Sequence, residues 1–329
     1  RDYFPNFDEF ILDIEDIEAM ELCRQEYEKE REHAAGMPPM DKAIEEKLLE
    51  VVHSAKEAPY GKALYKDGKL TGFLAFFGPW EEFHGTEKGV FSPLGASAFG
   101  GTERGKTASL LFQAAGRELV RDGIFGIAIS RYADLEEVNR LFVLSGFGIR
   151  CSDAVLSLKE YEFSDKDSKV VIGELKQEER AELAPLFEKL QKHLSVSPCF
   201  FPKQEGQAGE WLADQGIRIL AARHEGSIAG YMAVHEEAET FLTESAAVSN
   251  ICGAYVAEEY RSAGVAKQLL DAIVQMCIAE GKSYLGVDYE TVNPTALRFW
   301  TKYFTSYTYS FMRRIDERMR LPYFRNLLQ

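Results

Sequence analysis

Five cysteines in 329 residues, at positions 23, 151, 199, 252 and 277, form no Cys-x-x-Cys pair. They offer neither a disulfide framework nor a thiolate metal cage, and so sparse an odd set reads as reduced thiols. The six histidines show no His-x-x-x-His or His-Glu-x-x-His spacing, so no metal is expected. Long apolar runs are missing as well. None reaches the roughly 18–20 residues that span a bilayer, and no basic-then-apolar leader opens the sequence. The expectation is a cytoplasmic chain with no membrane partner. Positive charge is short: 38 Lys and Arg face 53 Asp and Glu, for a net charge of −15. A general basic surface that would hold a phosphate backbone is excluded, and nucleic acid with it. Cationic or neutral partners suit the balance better.

Core material is ample. Hydrophobic residues make up 46% of the chain, and 329 residues suggest two domains of roughly 160 each. The sequence also contains itself twice. Residues 63–76 are an apolar run, an Asp67-Gly68 turn and a second apolar run, the mark of a β-hairpin. Residues 221–234 repeat the form around Glu225-Gly226. Gly68 pairs with Gly226 and Gly72 with Gly230, at offsets 226 − 68 = 158 and 230 − 72 = 158. Gly105 and Gly264 each precede an apolar helical run, at 264 − 105 = 159. Asp122-Gly123 and Glu280-Gly281 close those runs, 281 − 123 = 158 apart. Strand-like segments follow at 124–130 and 283–288, then helices at 135–145 and 294–304.

Each half thus reads as helices, hairpin, strand, Gly-containing turn, helix, strand, helix, strand. The leading helices are 15–34 and 41–55 in the first half, and 178–193 and about 206–214 in the second. The charged stretch 159–169 has little apolar content and reads as a linker. The expected fold class is α+β, with one domain over 1–162 and another over 169–329. Each is a mixed, twisted sheet flanked by helices.

The sharpest local signal lies at 252–281. A strand ends near Val256, and Arg261-Ser262-Ala263-Gly264-Val265-Ala266 then opens a helix. Unpaired N–H groups at a helix N-terminus carry partial positive charge and make a phosphate site. Gly264 lets the backbone come close, and small Ala266 leaves room above the first turn. This segment resembles the cofactor motif of the GNAT acetyltransferase superfamily, Arg/Gln-x-x-Gly-x-Gly/Ala, met by Arg261, Gly264 and Ala266. Val256, Glu259, Tyr260, Leu269 and Leu270 agree with its context. Asn293, Ala296, Phe299, Trp300 and Lys302 resemble the family's second helix. The likeness covers 170–316 well and 10–158 more loosely, so the whole resembles a tandem GNAT protein, an arrangement also found in mycothiol synthases.

The resemblance implies acetyl-CoA as co-substrate, without a metal. It places the pyrophosphate on the amides of 265–268 and the pantetheine and thioester along Tyr255–Val256, with Asn293 touching the pantetheine arm. The implied cofactor residues are Tyr255, Val256, Arg261, Ser262, Ala263, Gly264, Val265, Ala266, Lys267 and Asn293. In the first half Thr102 and Thr107 replace the motif residues, which marks a degenerate, structural copy. Gly100–Thr107 also matches the phosphate-loop pattern Gly-x-x-x-x-Gly-Lys-Ser/Thr in full. The preceding segment contains Pro93 and few β-branched residues, unlike a buried parallel strand. Gly105 moreover sits in the repeat register of Gly264.

The implied reaction is attack of a small-molecule amine on the acetyl thioester. An alkylamine with a pKa near 10.4 is neutral in only about one molecule in 10³ at pH 7, so a base is needed. Candidates are Glu244, placed on the strand before the motif, and Asp288 and Glu290 at the end of the strand before Asn293. The family often has a tyrosine acid where this chain has Trp300, and Phe142 takes that place in the first half. Tyr303, Tyr307 and Tyr309 are the substitutes in reach, with Tyr303 nearest on the helix. Cys252 reads as an inert thiol. The acceptor would lie beside 197–202 and Trp211. The class-different alternative is a non-catalytic acyl-CoA-binding or regulatory protein, and a third is a transferase of larger acyl groups. The sequence leaves open whether the last strand completes a sheet within the chain or across a homodimer.

Overall fold

The computed structural model describes residues 13–164, 170–202, 207–238 and 240–321. The first half runs α1 (Asp16–His33), α2 (Lys42–Lys56), β1 (Tyr60–Lys66), β2 (Lys69–Trp80), β3 (Gly89–Ser92), β4 (Ser97–Phe99), α3 (Arg104–Arg121), β5 (Gly126–Tyr132), α4 (Glu136–Leu144) and β6 (Gly148–Ser157). The second runs β7 (Val171–Glu174), α5 (Ala184–Ser195), α6 (Gln207–Ala213), β8 (Arg218–His224), β9 (Ser227–His235), β10 (Val248–Val256), α7 (Val265–Ala279), β11 (Tyr284–Glu290), α8 (Pro294–Trp300), β12 (Thr305–Ser306) and β13 (Thr308–Arg314).

The two hairpins turn as the repeat requires. Asp67-Gly68 and Glu225-Gly226 all have positive φ, the geometry that matches strand twist. The helix expected over 178–193 begins late. Residues Gln177–Leu183 form a 3-10 stretch, and the α-helix starts at Ala184 with proline in its first turn. Proline lacks the N–H that a longer helix would need there. Residue 206, expected to open the following helix, lies outside the described residues.

The chain folds into two compact units. The first takes the described residues up to Ala34, Lys42–Ser152 and those from Tyr307 on, and the second takes Ala35–Asp41 and Asp153–Ser306. The join thus falls at 152/153, inside β6, rather than in 159–169. The reason is that 158–164 carries anchors. Leu158 is buried in the second unit's core, and Tyr161 donates to Asp271 on α7 at 2.8 Å. Residues 165–169 lie outside the described residues.

In the first unit the strand order is β1-β2-β3-β5-β13-β6, with β4 on β2. The last strand returns here: β13 pairs antiparallel with β5 from Thr308↔Tyr132 to Arg314↔Gly126, and with β6 at Ser310↔Cys151. It completes a sheet within the chain. The second unit has the order β11-β10-β9-β8-β7. Among the described strands of the two units, β3–β5 and β10–β11 pair in parallel and the other registered pairs are antiparallel. The second sheet is covered on one face by α7, through Leu269, Leu270, Ile273 and Val274, and on the other by Leu183 and Leu186.

The first unit encloses an ionic cluster. Arg131, fully buried, makes two 2.6 Å bonds to Glu26 and donates to the Ser97 carbonyl at 2.6 Å. One turn on, Glu30 is 1% exposed; its Oε2 accepts from the Asp134 N–H at 2.8 Å and its Oε1 has no partner. Burial pushes this carboxyl up from 4.5 to about 8. Folded chains therefore hold one proton more than unfolded ones between those values, and stability falls as pH rises through that window. The slope is up to roughly 1.4 kcal/mol per pH unit. Glu30→Gln keeps an acceptor for Asp134 and cannot ionise. We expect it to raise the melting temperature at pH 8 and leave it nearly unchanged at pH 5. Equal shifts at both pH values in thermal scans would contradict a protonated Glu30.

Candidate active site

The site of the second unit begins with two strands that part. β10 and β11 pair from Val248↔Tyr284 to Ile251↔Val287 and no further, while β10 stays on β9 as far as Val256↔Gly230. An irregularity at Cys252 marks the parting. Both strands then end near a helix N-terminus. Past β10, Glu258–Tyr260 make a 3-10 turn and Arg261 folds back, its Nε donating to the Val256 carbonyl at 3.1 Å. Its guanidinium also lies over the Tyr255 ring, 5.5 Å from the centroid. Gly264 then starts α7 at φ 86°, where a side chain would be strained although nothing stands within 4 Å of its Cβ position. Among the described residues no side chain caps α7, and its first residues, Gly264 to Lys267, line a cavity. Past β11, Asn293 caps α8.

A cavity of about 470 Å³ occupies the gap. Nine of the ten expected cofactor residues line it, and the tenth, Ala263, lines an adjoining cavity of about 860 Å³. One of the nine is already engaged. The Lys267 ammonium pairs with Asp271 and donates to the Tyr161 hydroxyl and the Glu162 carbonyl, each at 2.9 Å. Its three N–H donors are thereby used. Burial, and the bond to Asp271, push the Tyr161 phenol up, so it stays a donor.

The expected catalytic residues are not brought together. Tyr303 lines both cavities. Glu290 ends β11 outside both linings, beside Cys199, whose thiol is pushed up by burial and by this carboxylate. Glu244 needs correction. It lies not on a strand but in the 3-10 turn Phe241–Glu244, exposed, at the N-terminal end of β10. Nine residues of strand, roughly 25–30 Å at 3.3 Å each, separate that end from Val256. Asp288 is exposed on β11. Burial, then Asp288, pushes the Cys252 thiol up to about 12, which leaves it protonated and inert. Trp300 is buried at 6% exposure. Among the described residues no three His, Cys, Asp or Glu gather as metal ligands.

Two features escaped sequence reading. His193, at the end of α5, lines the cavity and bonds Asn293, a pairing across 100 residues with no local signal. The other is in the first unit. Its last β3–β5 pair, Ser92↔Ile129, matches Ile251↔Val287 at the repeat offsets 251 − 92 = 159 and 287 − 129 = 158. Beyond it, Arg131 bonds the Ser97 carbonyl, and at α3 the Gly105 N–H donates to Glu137 Oε1 at 2.9 Å. The neighbouring 390 Å³ cavity is lined by Asp134, Glu136 and Glu137 against Lys29 and Arg104. Nor does the phosphate-loop match have its strand, for β4 is three residues long and antiparallel to β2.

Residues 185–304, all within the second unit, match the acetyltransferase (GNAT) family model. A GCN5-related N-acetyltransferase from Sphaerobacter thermophilus is similar in structure, with a TM-score of 0.57 and 14% identity over 94% of this chain and 96% of that one. A tandem GNAT protein from the clavulanic acid biosynthesis pathway has a TM-score of 0.43 and 13% identity over 78% and 84%. A ribosomal-protein-alanine N-acetyltransferase from Brucella melitensis biovar Abortus 2308 has 0.33 and 22% over 40% and 89%. No curated protein matches the sequence. Residues 185–304 of the second unit thus match a GNAT acetyltransferase domain, and the chain has a GNAT-like α+β fold.

Gly264→Ala tests the loop. Left-handed backbone disfavours alanine by about 1–2 kcal/mol, and space is not limiting. We expect that loss of stability in denaturant titration; a loss below about 0.3 kcal/mol would mean the turn does not hold this conformation.

Proposed function

We propose that the chain is a cytoplasmic N-acetyltransferase that moves an acetyl group from acetyl-CoA to a small amine, with its working site in the second unit. The observation that carries this reading is the uncapped N-terminus of α7 opening onto the cavity where β10 and β11 part. Bound acetyl-CoA supplies an activated acyl thioester. The amides of Val265 and Ala266 would hold its pyrophosphate, helped by the α7 dipole. Tyr255 and Val256 on β10 would orient the pantetheine and, through backbone N–H, the thioester oxygen. Asn293 Oδ1 is committed to the helix cap, so its Nδ2 is the group left for the ligand. Lys267, held by Asp271, would shape the wall rather than meet a phosphate. Tyr303 would border the leaving sulfur.

The first unit reads as a structural copy because its own side chains satisfy both contacts. Glu137 takes the helix N-terminal N–H where a phosphate would sit, and Arg131 takes the backbone beyond the strand parting. The burial of Arg131 and the acidic cavity lining disfavour an anionic ligand there. A cationic acceptor suits the net charge of −15 and the carboxylates of Asp214 and Asp288, whose fields reach Cys252 beside the parting strands. Buried Trp300 in the second unit and buried Phe142 in the first favour one other reading, an acyl-CoA binder without turnover.

Calorimetry separates these. We expect one acetyl-CoA per chain, and none with Gly264→Glu. No heat from the native protein would defeat both readings, and two equivalents per chain would defeat the structural role of the first unit. A panel of primary amines followed by free-thiol release should then show turnover. Binding without release from any amine would leave the binder.

A further inference from the structure

Asn293 caps α8: its Oδ1 accepts from the backbone N–H of Thr295 at 3.2 Å and of Ala296 at 3.4 Å. Both partners are donors, so only the oxygen of the amide can stand there. The helix end therefore fixes which way the amide points. His193 Nε2 lies 3.2 Å from the same oxygen. Facing an acceptor, Nε2 must carry a hydrogen. A neutral imidazole has one N–H, so its lone pair is on Nδ1. Among the described residues nothing hydrogen-bonds Nδ1. The ring is half-buried and lines the 470 Å³ cavity together with Asn293, Tyr255 and Tyr231.

The location matters as much as the tautomer. α5 lies on the sheet face of Leu186, Tyr231 and Tyr255, opposite the face of α7. The cavity joins α7's N-terminus to His193, so it passes through the gap between β10 and β11. A ligand entering along α7 would bring its reactive end to the side where His193 stands. Among the described residues no carboxylate lines this cavity, and Glu244, Asp288 and Glu290 are all outside it.

We propose that His193 is the base that takes the proton of the attacking amine, through Nδ1, and that Asn293 positions it by fixing the tautomer. This rests on the acetyltransferase reading above. In the step, the amine nitrogen bonds to the acetyl carbon and gives one proton to Nδ1. The carbon–sulfur bond then breaks, and the sulfur leaves with the bonding pair. The imidazolium returns that proton to the thiolate, directly or relayed through a water, so one amine and one thioester become one amide and one thiol and His193 is again neutral.

The test uses the full chain labelled with [15N]histidine. Long-range proton–nitrogen spectra should show the Nε2–H form for His193, assigned by its loss in His193→Gln. Asn293→Asp keeps an oxygen at the cap and should retain that form; Asn293→Ala should lose it. With the best amine of the panel, His193→Gln should lower kcat at least 30-fold while KM for acetyl-CoA stays within twofold. Added imidazole should restore part of the rate of His193→Ala. An Nδ1–H form in the native protein, or undiminished kcat in His193→Gln, overturns the base. Lost turnover without imidazole rescue, in a variant that still binds acetyl-CoA, assigns a packing role and overturns it too. If native protein binds acetyl-CoA but acetylates no amine, or does not bind it, the acetyltransferase reading fails first and the base with it.

Discussion

The second unit depends on one constraint: β10 cannot follow both of its neighbours. It keeps β9 to Val256 and gives up β11 after Ile251↔Val287. Two strands that separate must each be continued elsewhere, and both continue into helix starts. α7 begins after β10 and α8 after β11, so two sets of unpaired N–H groups converge on the same opening. At α8 those groups are met by Asn293. At α7 no side chain among the described residues caps them. That asymmetry gives the site its direction, with the glycine-started end at α7 and the ordered polar end at Asn293 and His193.

The first unit shows what the same topology does when its openings are filled. Its strands part at the corresponding pair, Ser92↔Ile129, yet Pro93 follows and the chain swings to lay β4 on β2. The space receives Arg131, bonded to Glu26 and to the Ser97 carbonyl, and Glu137 approaches α3. An isolated charge in such a place would cost several kcal/mol, and the Arg131–Glu26 pair, with Nη2 on both carboxylate oxygens and further backbone bonds, offsets that cost. Duplication preserved the frame, while side chains decided whether the frame stays open. The protonated Glu30 beside this cluster is consistent with a pocket that tolerates one ion pair and no further uncompensated charge.

Features held by neighbours in sequence were legible in the sequence. The hairpin turns and the glycine that opens α7 are each set by two or three adjacent residues, and the repeat register carried the hairpin turn from one half to the other. Features held by distant residues were not. The stretch 159–169 reads as a linker by composition, yet Tyr161 within it packs on a core whose other half lies some hundred residues on. By sequence Glu244 falls on the strand before the motif, but Thr240–Ser245 forms a tight turn instead. The return of β13 to the first unit depends on pairing across 180 residues, as in the Ser130–Ser310 hydroxyl contact at 2.7 Å. His193 and Glu137 are ordinary helix residues until the opposing helix is in place.

The missing tyrosine at Trp300 has less consequence than its prominence in the resemblance suggests, and magnitudes decide this. At pH 7 an alkylamine with pKa near 10.4 must lose its proton at a cost of about 4.6 kcal/mol. A thiol with pKa near 8.5 departs as thiolate at a cost of about 2 kcal/mol. The chemistry is therefore limited by the base more than by the acid. A site that gives up the phenol for a buried indole loses help with the cheaper proton transfer and gains a well-packed wall beneath α8. A site that gave up its base would lose help with the costlier one. In the proposed reaction the lone pair fixed on Nδ1 by the α8 cap would take that costlier proton, and it is held by a backbone feature that α8 needs in any case.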